Sequence, residues 1–149
     1  MKHDISIDEI KRKTNHTEVV SLGTIVNRLN ELDFDAPFQR KNLWGLTKKR
    51  NLIKSVFDRI PIGALHFGSN TIIDGKQRLL AIKAFLNGRF PIRILVGDIC
   101  HSVFWIDICD PKSRWHFLHT RFLSFQVRIT SWEVEDMRGK AKIWKRLNS

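Results

Sequence analysis

The stretch Thr71-Ile72-Ile73-Asp74-Gly75-Lys76-Gln77-Arg78-Leu79-Leu80-Ala81-Ile82-Lys83-Ala84-Phe85-Leu86-Asn87-Gly88 carries strand, turn and helix signals in succession. The β-branched residues Thr71 to Ile73 read as a short buried strand. Asp74 is a favourable helix N-cap, and Gly75 permits a sharp turn or a close approach to a ligand. From Leu79 the apolar positions 79, 82, 85 and 86 follow helical spacing, and Gly88 falls where a helix C-terminus favours glycine. A helix N-terminus presents unpaired backbone N–H groups and a positive dipole end, and Lys76 and Arg78 add charge beside it. That combination suits a phosphate. The same residues also read as an ordinary capped helix with two solvated basic side chains.

Composition narrows what such a turn serves. A chain of 149 residues, 42% hydrophobic and 28% charged, is sized and balanced for about one folded domain with a real core. Lys and Arg number 26 against 15 Asp and Glu, a formal charge of +11 that favours polyanionic partners such as nucleic acid or nucleotides. No apolar run approaches the ~20 residues that span a bilayer, and the polar N-terminus is not a signal peptide, so no membrane partner and a cytoplasmic setting are expected. Cys100 and Cys109 make no disulfide framework. With His101, His116 and His119 they fall within twenty residues, but the spacing fits no standard zinc finger; buried thiols and partly exposed histidines are expected.

On either side of the central stretch the elements follow in order. Residues 1–20 read as a polar N-terminal arm and 21–149 as a single domain. A helix is expected from Ser21, with Leu22, Ile25, Val26 and Leu29 on one face. Asp33 to Pro37 breaks it, and Phe38 to Gly45 reads as a loop packed by Phe38 and Trp44. Thr47 is placed to cap a second helix with Leu52, Ile53, Val56, Phe57 and Ile60 buried and Pro61 ending it. Ala64 to Phe67 pairs with Thr71 to Ile73 through Gly68-Ser69-Asn70. Ile92 to Val96 is a further strand, and Val103 to Ile108 suggests a buried one. Asp110-Pro111 opens a helix to Leu123 that turns Trp115, Leu118 and Phe122 inward. Phe125 to Thr130 alternates as a half-buried strand, and Thr130 with Glu133 reads as a capping box for a last helix to Leu147. The fold class expected is α+β, a small mixed sheet flanked by helices.

Four pieces are more specific together than apart: Phe38-Gln39-Arg40 with Trp44; Leu52-Ile53-Lys54-Ser55 running to Ile60-Pro61-Ile62; Asp74-Gly75-Lys76-Gln77-Arg78; and Lys145-Arg146-Leu147-Asn148. Their order and spacing resemble the N-terminal domain of GmrSD-type modification-dependent restriction proteins, a ParB/sulfiredoxin-like family whose turn reads DGQQR. The resemblance covers roughly Ser21 to Ser149. It implies nucleoside-triphosphate binding, often with hydrolysis, coupled to nicking or cleaving DNA in restriction, phage defence or counter-defence. Carried over by position, it makes Asp74, Gln77 and Arg78 the catalytic group. Gln39, Arg40, Gly75, Lys76, Arg78 and Asn148 become nucleotide-binding residues, and Asp74 the holder of Mg²⁺. The physical chemistry agrees: N–H groups after Gly75 suit phosphates, and Arg78 suits a bidentate fork onto phosphate oxygens.

Three departures shape the expectation. Lys76 stands where the family carries glutamine, and Trp144 stands near the place of the late phenylalanine. The sequence also stops where the family continues into a further helix and often an HNH-type nuclease, so a truncated domain working with a separate nuclease subunit is expected. No cysteine accompanies the turn, so reductase chemistry is not. Two other readings stay open: a non-catalytic DNA-binding or regulatory module with a decayed nucleotide pocket, and a ParB-like phosphotransferase.

Overall fold

In the computed structural model the strand, turn and helix read from residues 71–88 form the centre of the chain. The structure describes residues 4, 6–8, 14–38, 43–134 and 136–149. Strands β1 (Asn15–Ser21), β2 (Leu65–Gly68), β3 (Thr71–Asp74) and β6 (Gln126–Trp132) form one sheet in the order β1-β6-β2-β3. β2 runs antiparallel to β3 and parallel to β6, and β6 runs antiparallel to β1, so the sheet is mixed as expected. β4 (Ile92–Val96) and β5 (Ile99–Val103) pair as a separate antiparallel ribbon. The helices are α1 (Leu22–Val26), α2 (Leu46–Phe57), α3 (Lys76–Leu86), α4 (Trp105–Cys109), α5 (Phe117–Leu123) and α6 (Met137–Leu147). None is long and apolar enough to cross a membrane.

The apolar periodicities explain the packing. Leu65 and Phe67 of β2, Ile72 and Ile73 of β3, and Leu79, Ile82 and Phe85 of α3 are all essentially inaccessible to solvent. Phe85 meets Phe57, Phe90, Trp105 and Phe122 at centroid distances of 6.2, 5.8, 5.9 and 5.7 Å, in the tilted or edge-on geometries that aromatic pairs favour. α2 packs on α3, and α6 packs on β3. The α6 contact is made by Lys140, which is only 6% exposed and donates to Thr71 Oγ1 at 2.9 Å. Burying its stem over Gly68 uses the apolar part of the side chain while the ammonium keeps a partner.

Several local expectations differ from the structure. Residues 15–20, read as part of a polar arm, belong to β1. They form an edge strand whose outward side chains stay in water, so polarity hid the strand. Asp74 is not the N-cap of α3; it ends β3, and Gly75 is the cap. Thr47 does not cap α2, which begins after an uncapped Gly45. That helix stops at Asp58, so Ile60 is 53% exposed rather than buried. The apolar run 103–108 divides into the end of β5 and the short helix α4, opened by Asp107 Oδ2 accepting from the Phe104 N–H at 3.0 Å. Asp110 makes a turn with Lys112, and α5 begins only at Phe117. Thr130 lies inside β6 and bonds Thr17 across the strands, so it forms no capping box with Glu133; α6 is capped by Asp136, which accepts from the Gly139 N–H at 2.6 Å.

Candidate functional site

The turn after β3 opens onto a cleft of about 490 Å³. Its walls come from Leu43 to Gly45, Lys48 on α2, the run Asp74 to Arg78, and Trp144 and Asn148 at the end of α6. Segments far apart in sequence therefore share one concave surface. Gln39 and Arg40 lie outside the described residues.

Two helix N-termini line this cleft. α3 starts after Gly75 and its first helical bond is Leu79 N–H to the Gly75 carbonyl, so no intrahelical acceptor serves Lys76, Gln77 and Arg78. α2 starts after Gly45 with Lys49 N–H to the Gly45 carbonyl, which leaves Leu46, Thr47 and Lys48 in the same state. Neither N-cap supplies a side-chain acceptor. Each such end carries roughly half a positive charge, and an anion is their natural partner. Lys48, Lys76 and Arg78 add formal charge, against Asp74 alone among the described lining residues.

Gly75 is glycine for two reasons. Its φ of 109° is left-handed backbone, and an added Cβ would overlap the Leu65 side chain. Gly63, at φ 87°, gives way to Arg78: a Cβ there would stand 2.8 Å from Nη1. The guanidinium is thus seated as well as charged. Nη1 donates to the Ile62 carbonyl at 2.8 Å and Nη2 to Asp74 Oδ2 at 3.1 Å, with side-chain exposures of 17% for Arg78 and 32% for Asp74. Burial pushes the Arg78 pKa below its usual value, and the Asp74 carboxylate opposes that shift. Arg78 therefore joins the Ile60-Pro61-Ile62 segment to the turn, a holding role the sequence did not reveal.

Gln77 also has a holding role. Its Oε1 accepts from the Trp44 N–H at 3.1 Å, which leaves the NH₂ of the amide to donate elsewhere. Trp44 is half-buried against the core with Lys48 Nζ 6.0 Å from its ring centre, in keeping with an anchoring role. Asn148 caps α6 and donates through Nδ2 to the Trp144 carbonyl at 2.8 Å, so its Oδ1 is the group left for a ligand. Trp144 in turn packs on Phe38 at 6.0 Å.

His66 was not singled out from the sequence. The β2–β3 register sets it opposite Asp74, next to a register shift. Its Nδ1 accepts from the Trp132 indole N–H at 3.1 Å, and the rings stack at 6.3 Å. An indole nitrogen only donates, so Nδ1 keeps its lone pair and neutral His66 carries its proton on Nε2. Burial pushes the His66 pKa down; Asp74 pulls it up and Arg78 adds to the lowering. The only available signal was strand pairing between residues 66 and 74, which needs the register.

Among the described residues no group of three or more His, Cys, Asp or Glu is placed to hold a metal. Cys100 and Cys109, expected to be buried, are both exposed, because the β5 face and the end of α4 that carry them are at the surface. Partial desolvation still raises the Cys109 thiol pKa. For Mg²⁺, Asp74 offers one carboxylate oxygen not held by Arg78, a hard ligand that fits a cation whose other ligands come from phosphates and water.

A family model described as the GmrSD restriction endonuclease, N-terminal domain, matches residues 22–149. No curated protein and no solved structure matches the chain.

Proposed function

The chain belongs to the family of the GmrSD restriction endonuclease N-terminal domain, and on that premise we propose that it binds a nucleoside triphosphate with Mg²⁺ in the cleft beside Asp74–Arg78, in the service of DNA restriction. The observation that carries the proposal is the convergence of two uncapped helix N-termini and three cationic side chains on one cleft. Backbone N–H groups at 76–78 and 46–48 take phosphate oxygens, and Lys48 and Lys76 neutralise the chain of charges. Asp74 would hold the Mg²⁺, which would supply charge neutralisation at the phosphates. Gln77 donates its free NH₂ to a phosphate oxygen or to water, and Asn148 offers Oδ1 to the sugar or base. Gln39 and Arg40 belong to the same proposal by their motif.

Hydrolysis is the part that Gln77 and Arg78 strain. Gln77 Oε1 is occupied by Trp44, and Arg78 by Ile62 and Asp74. That occupancy favours a second reading, a domain that binds nucleotide as a regulatory signal and turns it over slowly or not at all. The test is calorimetry with ATP, GTP and CTP plus Mg²⁺, followed by phosphate release. Lys48→Ala and Lys76→Ala are cleaner probes than Arg78→Ala, since Arg78 also supports the fold. Saturable binding weakened in both lysine variants supports the site. Phosphate in solution marks a hydrolase, and phosphate on an acceptor marks a transferase. No binding to any triphosphate overturns the proposal.

A further inference from the structure

A second cleft, of about 540 Å³, lies between α2, β4 and α5, and nothing in the nucleotide reading uses it. Its cations come from three elements: Arg50 and Lys54 on α2, Arg93 on β4 and Arg121 on α5. Among the described residues none of the four makes an ion pair, although Asp58 stands at the same cleft. Arg121 spends its Nε on the Phe57 carbonyl at 2.9 Å, which fixes the base of the side chain. Arg50 is the more telling residue: its Nε is buried and has no hydrogen-bond partner among the described residues. A buried donor without an acceptor is costly, and the accessible part of the same Arg50 side chain lines the cleft, where its guanidinium is available to an anionic oxygen.

We propose that this second cleft binds the phosphodiester backbone of DNA. Cations on three separate elements suit several phosphates along a strand better than one compact anion. Phe57, Ile92 and Leu118, all buried, line the same cleft and give it an apolar floor. α2 then stands between the two ligands, with Lys48 at the nucleotide cleft and Arg50 and Lys54 at the DNA. The inference rests on the reading that the domain works on DNA, but not on nucleotide binding.

The test measures anisotropy of a fluorescein-labelled DNA duplex across a salt series. It compares wild type, the double variant Lys54→Gln/Arg93→Gln, and the charge-matched control Lys112→Gln/Arg138→Gln; all four positions are exposed. Each phosphate contact contributes about 0.9 to the slope of log affinity against log salt, or about eightfold at 0.1 M relative to 1 M. Loss of two contacts therefore predicts about 60-fold weaker binding at 0.1 M salt and a slope shallower by about 1.8. The control is expected to change affinity by no more than about threefold, its charges making no phosphate contact. Equal losses in both variants, no loss in the first, or no DNA binding by wild type would each overturn the proposal. Triphosphate calorimetry on the Lys54→Gln/Arg93→Gln protein separates the two sites. Unchanged nucleotide binding with lost DNA binding supports the second cleft. DNA binding lost in this variant, from a wild type that binds no nucleotide, keeps the second cleft and removes the first reading.

Discussion

Replacing Gly75 by alanine tests whether the turn is shaped by both backbone and packing. The φ of 109° costs an L-residue about 1–3 kcal/mol, because it lies beyond the usual left-handed well. The new Cβ also overlaps Leu65, a fully buried side chain that cannot step aside into solvent, which adds about 1–3 kcal/mol of overpacking. Together these predict a loss of about 4 kcal/mol. Gly88→Ala is the comparison: its φ is also positive, at 73°, but an added Cβ meets nothing within 4 Å, so strain alone costs about 1 kcal/mol. Urea unfolding gives both values, and the matching melting shifts are about 12–16 °C and about 3–4 °C. Leu65→Val in the Gly75→Ala background should show a favourable coupling of about 1–2 kcal/mol, since it removes the overlapping methyl. Equal costs at Gly75 and Gly88, or no coupling to Leu65, would refute the packing half of the argument.

Three further outcomes are expected. The His66 imidazole should titrate below its ordinary value in a pH series followed by NMR, and Trp132→Phe should raise its midpoint by freeing Nδ1 to accept a proton. Because the folded pKa is lowered, the unfolded chain binds more protons near and below pH 6.5; His66's contribution to stability is thus complete above that pH and is lost as pH falls through this region. Lys140→Met, which keeps the stem and removes a buried ammonium, should leave urea stability within about 1 kcal/mol of wild type or raise it, whereas Lys140→Glu should cost about 3 kcal/mol or more. Asp136→Ala removes the α6 N-cap and should cost about 1 kcal/mol by thermal unfolding, with weaker nucleotide binding because α6 carries Trp144 and Asn148 to the cleft.

The centre of the molecule was legible because local and tertiary preferences agree there. Thr71 to Ile73 is β-branched and buried, and Leu79, Ile82 and Phe85 keep helical spacing around a core they all reach. The errors fall where a local pattern had two meanings. Val103 to Ile108 is apolar enough for a strand, yet Asp107 bonding the Phe104 N–H starts a helix, and Ile106 ends 77% exposed. Thr130 and Glu133 have capping-box spacing, but strand pairing with β1 claims Thr130. At the site, the glycine turn of Asp74–Arg78 into a helix, with cations beside it, was readable because glycine and cations are adjacent in the chain. Its second helix end at Gly45, the Ile62 carbonyl under Arg78, and His66 behind Asp74 were not, because each depends on which segments the fold brings side by side.

The most direct test of the central claim reads the backbone amides themselves. In a ¹⁵N-labelled sample titrated with ATP or GTP plus Mg²⁺, the N–H resonances of Leu46 to Lys48 and of Lys76 to Arg78 are expected to shift together along one saturating curve. Shifts confined to one helix end, shifts clustered away from both, or none at concentrations that saturate binding elsewhere would contradict it.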